Sequence, residues 1–266
     1  MKLDLSIKNN FQIITSGNIQ EQLMVCSHER SGTHFLMNSI DIVSHYSSNP
    51  WMNYDYYPLG AKVNFFSQSS THKFINDFSN FTAKGKKTCN ASILKSHFPL
   101  GHLGKNANSL PLKIIYIWRK PADTIISFWK FMHKWSWNEG PRTKTPLELA
   151  CTRPSGQSQR YQASNYKDYF ERWAAHVIDG IENSSNNPNA CIISYEDLLN
   201  SHSSTTEKIC QKLNIQILKK PDLPSKNENV VTGAKIDLKT DDAKRLQDYC
   251  NERIEEYPVL KTYLRQ

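Results

Sequence analysis

The chain predicts an α/β fold, a three-layer sandwich in which helices cover a central, mostly parallel sheet. Three observations carry this. Short, almost wholly apolar segments at residues 23–26, 93–94, 112–118 and 190–194 suit strands buried on both faces. Segments of helical period lie between them, as in a sheet built from crossovers. The first strand also runs through Arg30, Ser31, Gly32 and Thr33 straight into a helix. Such a junction exposes the unpaired N–H groups that begin the helix, and with the positive end of its dipole they favour an anion.

Taken in order, the strand at 23–26 leads through the polar turn to Phe35, Leu36, Ser39, Ile40 and Val43 at helical spacing. Residues 46–59 set Trp51, Tyr54, Tyr56 and Tyr57 among Asn, Ser and Pro, and are expected to form a loop, a lid or pocket wall. Ile93 and Leu94 make a short strand that ends at Lys95-Ser96-His97, before Pro99. Leu112–Trp118 is the clearest strand, and Pro121 suits the first position of a helix to about residue 135. A polar stretch covers 137–158. Tyr166, Tyr169, Phe170, Trp173, Ala174, Val177, Ile178 and Ile181 then trace one helix face. Residues 190–194 form the next strand, followed by Tyr195-Glu196-Asp197-Leu198 and a helix over 205–213. Residues 221–240 read as irregular, and Thr240-Asp241-Asp242 as the cap of a last helix to about residue 257, with Leu246, Tyr249, Cys250 and Ile254 inward.

With 266 residues and 38% hydrophobic content, the chain can bury one full core, so a single domain over residues 1–266 is expected. No stretch approaches the roughly 18 apolar residues of a bilayer span. The first twenty residues are polar and lack the apolar core of a signal peptide, which makes the cytoplasm the expected address. Six cysteines lie far apart without a C-x-x-C pair and read as reduced thiols. The asparagines of the sequons at Asn80, Asn90 and Asn183 would matter only after secretion. A net charge of +8 is spread along the chain, and no nucleic-acid motif frames its densest run, residues 84–87. A small polyanion at a focused site fits that charge better than nucleic acid.

Parallel strands bring their carboxyl ends to one edge of the sheet, where ligands of such folds bind. There the chain places Arg30 with Ser31, Gly32 and Thr33; Lys95 with His97; Arg119 with Ser127; and Tyr195. Gly32 removes a Cβ that would hold a ligand off the backbone, hydroxyls add donors, and Arg30 offers a fixed fork for an oxyanion. His97 suits a general base, because an unperturbed imidazole titrates near 6.5. Ser127 lies two helical turns beyond Arg119 and can share an anion with it. The turn is not a Walker A loop, since the lysine and first glycine of G-x-x-x-x-G-K-S/T are missing. No His/Cys cluster has metal spacing. Phe128, Trp129, Phe131, Trp135 and Trp137 are packing residues first, and candidates for an apolar acceptor wall second.

Over roughly residues 22–200 the ordered motifs resemble the sulfotransferases that use 3′-phosphoadenosine-5′-phosphosulfate (PAPS). Ser27-His28-Glu29-Arg30-Ser31-Gly32-Thr33-His34-Phe35-Leu36 is similar to that family's 5′-phosphosulfate loop. Lys95-Ser96-His97-Phe98-Pro99-Leu100 is similar to its Lys-Thr-His-Leu-Pro segment. Ile115 through Asp123, continuing to Ser127, resembles the 3′-phosphate motif, and Tyr195-Glu196-Asp197-Leu198 its Tyr-Glu-Asp-Leu. The resemblance implies a P-loop-like fold and PAPS as sulfuryl donor, with no metal. By the same resemblance Arg30 meets the sulfuryl and 5′-phosphate oxygens, and the N–H groups through His34 hold the 5′-phosphate. Phe35 and Tyr195 approach the adenine, Lys95 adds charge at the transferring group, His97 takes the acceptor proton, and Arg119 with Ser127 selects the 3′-phosphate. The acceptor to be expected from the resemblance is a hydroxyl or amine on a small or lipid-like molecule. The chain departs from the family pattern at Arg30, His34 and Phe35, where lysine, threonine and tryptophan are usual. Gly233-Ala234-Lys235 stands where a C-terminal Arg-Lys-Gly is common. A nucleotide-dependent kinase with a degenerate phosphate loop and a nucleotide-binding protein without chemistry are the rival readings.

Overall fold

The elements follow in chain order as β1 (Phe11–Ile13), β2 (Gln22–Cys26), α1 (Thr33–Val43), β3 (Ser47–Asn53), β4 (Phe81–Ala83), β5 (Ser92–Ser96), β6 (Leu112–Trp118), α2 (Pro121–Lys134), α3 (Pro146–Ala150), α4 (Tyr169–Ser185), β7 (Ala190–Ser194), α5 (Tyr195–Asn200), α6 (His202–Lys212), α7 (Thr240–Ile254) and α8 (Pro258–Leu264). Short 3₁₀ segments occupy Leu100–Leu103 and Gly156–Tyr161. The computed structural model describes residues 11–13, 22–53, 81–83, 92–103, 112–134, 140–162, 164–224 and 230–264.

Five strands form one sheet in the order β3-β5-β2-β6-β7, and each of its pairings is parallel. The pleat of β2 explains the layers. Leu23 and Val25 point to one face, where they pack with Leu36, Met37, Ile40 and Val43 of α1 and Ile209 of α6. Met24 and Cys26 point to the other, into a core with Phe128, Phe170, Trp173, Val177 and Leu246. Both faces are thus buried, which is why β2 and β6 read as apolar runs instead of alternating. A separate antiparallel pair joins β1 to β4.

Two expectations change. Ser47–Asn53, assigned to a loop, is the edge strand β3, while residues 54–59 of that segment lie outside the described residues. Its polar residues and Pro50 are tolerated because an edge strand pairs on one side only. At the other end α7 begins at Thr240, with Lys239 as an N-cap that makes no side-chain cap bond, and stops at Ile254, after which α8 packs Leu260 into the core. Within 137–158, α3 is capped by Thr145, whose side chain accepts from the Glu148 N–H.

Candidate active site at the strand ends

Strands β2 and β5 end level, with Cys26 opposite Ser96, so the next residues meet. His97 Nδ1 lies 3.0 Å from the Ser27 carbonyl oxygen. A carbonyl only accepts, so Nδ1 carries the proton and Nε2 holds the lone pair. Ser27 Oγ bonds Thr33 Oγ1 at 2.7 Å, tying the start of the turn to the first turn of α1. His97 and Lys95 are both buried. Burial, then the Lys95 ammonium, holds the His97 imidazole well below its ordinary pKa, with the Glu29 carboxylate opposing them, so the ring is neutral at pH 7. His34, at the start of α1, is lowered to about 3 by burial and by Lys95 and Arg30.

The turn passes through two left-handed residues, Arg30 at φ 69° and Gly32 at φ 91°. A Cβ on Gly32 would lie 2.2 Å from Cδ2 of Tyr195. The space that the missing Cβ leaves is therefore taken by a ring of the protein, where the sequence reading gave it to a ligand. Tyr195 reaches this position because α5 starts directly at the end of β7, with Ser194 as N-cap. The Arg119 guanidinium lies 4.6 Å over the same ring.

Arg30 is the junction of the site. Its Nε donates to Ser127 Oγ at 3.2 Å, its Nη2 donates to the Val231 carbonyl at 2.8 Å, and its guanidinium lies 4.9 Å from the Phe131 ring centre. Burial and the neighbouring Arg119 lower its pKa to about 10. The segment that follows Val231 runs along α2, where the Ala234 N–H donates to the Lys130 carbonyl and Lys134 Nζ to that of Thr232, both at 2.8 Å. Gly233-Ala234-Lys235 thus lies against α2, near the Arg30 and Ser127 pair, with Lys235 exposed.

The structure thus gathers Arg30, Ser31, Thr33, His34, Arg119, Ser127 and Tyr195 around the turn, with Lys95 and His97 on the adjacent strand end. Phe35 meets Tyr195 edge-on at 6.1 Å. Among the described residues, Ser31 Oγ and Arg119 Nε are buried without a hydrogen-bond partner. Two unpaired donors, one of them on the Arg119 guanidinium that lies beside that of Arg30, fit an anion with more than one phosphate. On one side of His97 stand aromatic rings: its ring centre is 5.5 Å from that of Tyr161, which Phe98 meets edge-on at 5.4 Å. Among the described residues no group of three or more His, Cys, Asp or Glu side chains could hold a metal ion, and no helix is long and apolar enough to cross a membrane.

Beneath the turn lies a polar web that the sequence did not announce. Arg172 of α4 donates through Nη2 to both Glu29 carboxylate oxygens at 2.8 Å and through Nη1 to His28 Nε2 at 2.7 Å. His176, one turn on, donates through Nε2 to the His97 carbonyl at 3.0 Å, and the Tyr116 hydroxyl lies 2.7 Å from its Nδ1 and donates to its carbonyl at 2.8 Å. Burial alone would raise the Glu29 carboxyl, but Arg172 outweighs it and keeps Glu29 ionised. No local signal could have revealed this, because Arg172 and Glu29 are 143 residues apart.

A family model described as a sulfotransferase domain matches residues 20–256. A 3-alpha-hydroxysteroid sulfotransferase from Cavia porcellus is 30% identical over 137 residues, which cover 49% of this chain and 40% of that protein. Sulfotransferase 2A1 from Macaca fascicularis is 23% identical over 203 residues, covering 73% of this chain and 59% of that protein. The chain thus spans about half the length of these curated relatives. Among solved structures, a sulfotransferase from Alicyclobacillus acidocaldarius superposes with a TM-score of 0.51 at 15% identity, covering 91% of this chain and 95% of that one, a likeness of fold.

Proposed function

Because the chain belongs to the sulfotransferase family, we propose that it transfers a sulfuryl group from PAPS to a hydroxyl (or amine) of a small or lipid-like acceptor. The observation that carries this reading is the fixed tautomer of His97. Its Nδ1–H goes to the Ser27 carbonyl at the root of the anion-binding turn, which puts the basic lone pair of the ring on Nε2, the atom that would take the acceptor proton. When bound, PAPS supplies the activated sulfuryl group and a phosphate that can leave. The chain's own part is placement and charge, as in phosphoryl transfer.

In this reading Arg119 and Ser127 hold the 3′-phosphate. Arg30 joins them there, since it already shares Ser127. Lys95 is then the cation at the transferring end, a reassignment from the role that the resemblance gave Arg30. The N–H groups that begin α1, with Ser31, Gly32, Thr33 and His34, hold the 5′-phosphate, and Phe35 with Tyr195 flanks the adenine. Phe98 and Tyr161 favour an apolar acceptor beside His97. The name of the Cavia porcellus relative makes a hydroxysteroid the first acceptor to assay.

The test is calorimetric titration with 3′,5′-phosphoadenosine (PAP), followed by a labelled-PAPS acceptor screen. His97→Ala should bind PAP as the wild type does while losing about 10²- to 10⁴-fold in turnover, the usual contribution of a general base. No PAP binding by the wild type defeats the family chemistry, and undiminished turnover by His97→Ala removes the histidine as base.

A further inference from the structure

Helix α4 presents Arg172 and His176 one turn apart on the face that meets the carboxyl ends of β2 and β5. Arg172 grips the phosphate turn through Glu29 and His28, and also donates from Nη2 to the Ser158 carbonyl at 3.1 Å. His176 grips the strand end through the His97 carbonyl. We propose that Arg172 and His176 are positioning residues that mount the donor turn and His97 on one rigid helix, and so set the distance between the transferring group and the base. The proposal rests on the sulfotransferase reading of the site.

The protonation states are consistent throughout. Arg172 donates to His28 Nε2, so His28 keeps its proton on Nδ1 and donates to the Glu29 carbonyl at 2.9 Å. The His97 carbonyl only accepts, which fixes the His176 proton on Nε2, and the Tyr116 hydroxyl lies against both Nδ1 at 2.7 Å and the His176 carbonyl at 2.8 Å, its one proton shared between these two acceptors. Neither ring has a free nitrogen for chemistry, so both are framework. Packing supports the same role: His28 and His176 meet edge to face at 5.5 Å, and Arg172, His28, Glu29 and His176 are all buried. Placement of this kind matters because an error of about 1 Å in a reacting pair can cost on the order of a hundredfold in rate.

Three variants separate placement from folding. His176→Phe keeps a ring but cannot donate to the His97 carbonyl, whereas His176→Gln can. Glu29→Gln combined with Arg172→Met removes both charges together, so that no unpaired buried ion is left to unfold the chain. Two readouts follow, turnover and the ¹⁵N imidazole spectrum of His97, the second needing no substrate. We expect His176→Phe and the double variant to retain PAP binding and lose about ten- to a hundredfold in kcat with little change in donor KM. His97 should pass from a single Nδ1–H tautomer to a mixture, and His176→Gln should restore both readouts. An unchanged His97 spectrum in His176→Phe and the double variant overturns the proposal whether or not any acceptor is found. So does a kcat loss that His176→Gln shares equally. Loss of PAP binding by the wild type would instead strike the sulfotransferase reading.

Discussion

The residue whose state decides most is the neutral buried imidazole. His28 is held at about 3 and His176 at about 4, chiefly by burial, while the unfolded ring titrates near 6.5. A depressed pKa means that the unfolded chain binds the extra proton first. The stabilisation is therefore complete above about pH 6.5 and is lost as pH falls towards 4. Between pH 7 and pH 5 each ring should cost up to about 2 kcal/mol of stability, read as a lower urea midpoint. An unchanged midpoint would mean that these rings are solvated. At this scale the sequence was legible where chemistry is local: Lys95, His97 and Arg119 announce themselves at strand ends, and Ser127 by its spacing from Arg119 along the following helix. It was silent on Glu29 and Arg172, because a buried ion pair between distant residues has no signature in either neighbourhood. Arg30 was found but not its direction, which depends on Ser127 and Val231 arriving from elsewhere.

The decisive contact between elements is that of α4 with β6. Gly180 lets the helix approach so closely that a Cβ there would fall 2.2 Å from the ring of Tyr116. Two effects oppose each other in Gly180→Ala. Helix propensity would favour alanine by about 1 kcal/mol, while overpacking against a fully buried ring costs about 1–3 kcal/mol or more. The clash should win, lowering the thermal midpoint. The shift should also disturb the Tyr116 to His176 bond, so activity should fall more than stability alone requires. A variant as stable and active as the parent would show that α4 can slide. The apolar strands and amphipathic helices were readable because burial on both faces writes continuous runs and regular spacings. β3 was not, since an edge strand of Ser, Asn and Pro shares its composition with loops. α8 lay beyond a helix expected to end the chain's regular structure.

For the whole molecule, the excess of 33 basic over 25 acidic residues matters to encounter more than to fold. With Arg30, Arg119 and Lys95 at one edge of the sheet, the field is focused where the proposed polyanionic donor would enter. The association rate of PAP should therefore fall several-fold as salt rises from 50 to 500 mM, while dissociation changes less. A rate independent of salt would count against this focusing. The sheet order carries a different consequence, one of timing. β2 is flanked by β5 and β6, which the chain supplies far later, and Tyr195 closes over Gly32 later still. At synthesis rates of about 5–20 residues per second, the turn after Cys26 waits on the order of 10–30 s for its ring. During translation the nascent chain holds an apolar strand with neither neighbour until residue 118 has left the ribosome, so until then its safe passage depends on delayed collapse or on a chaperone.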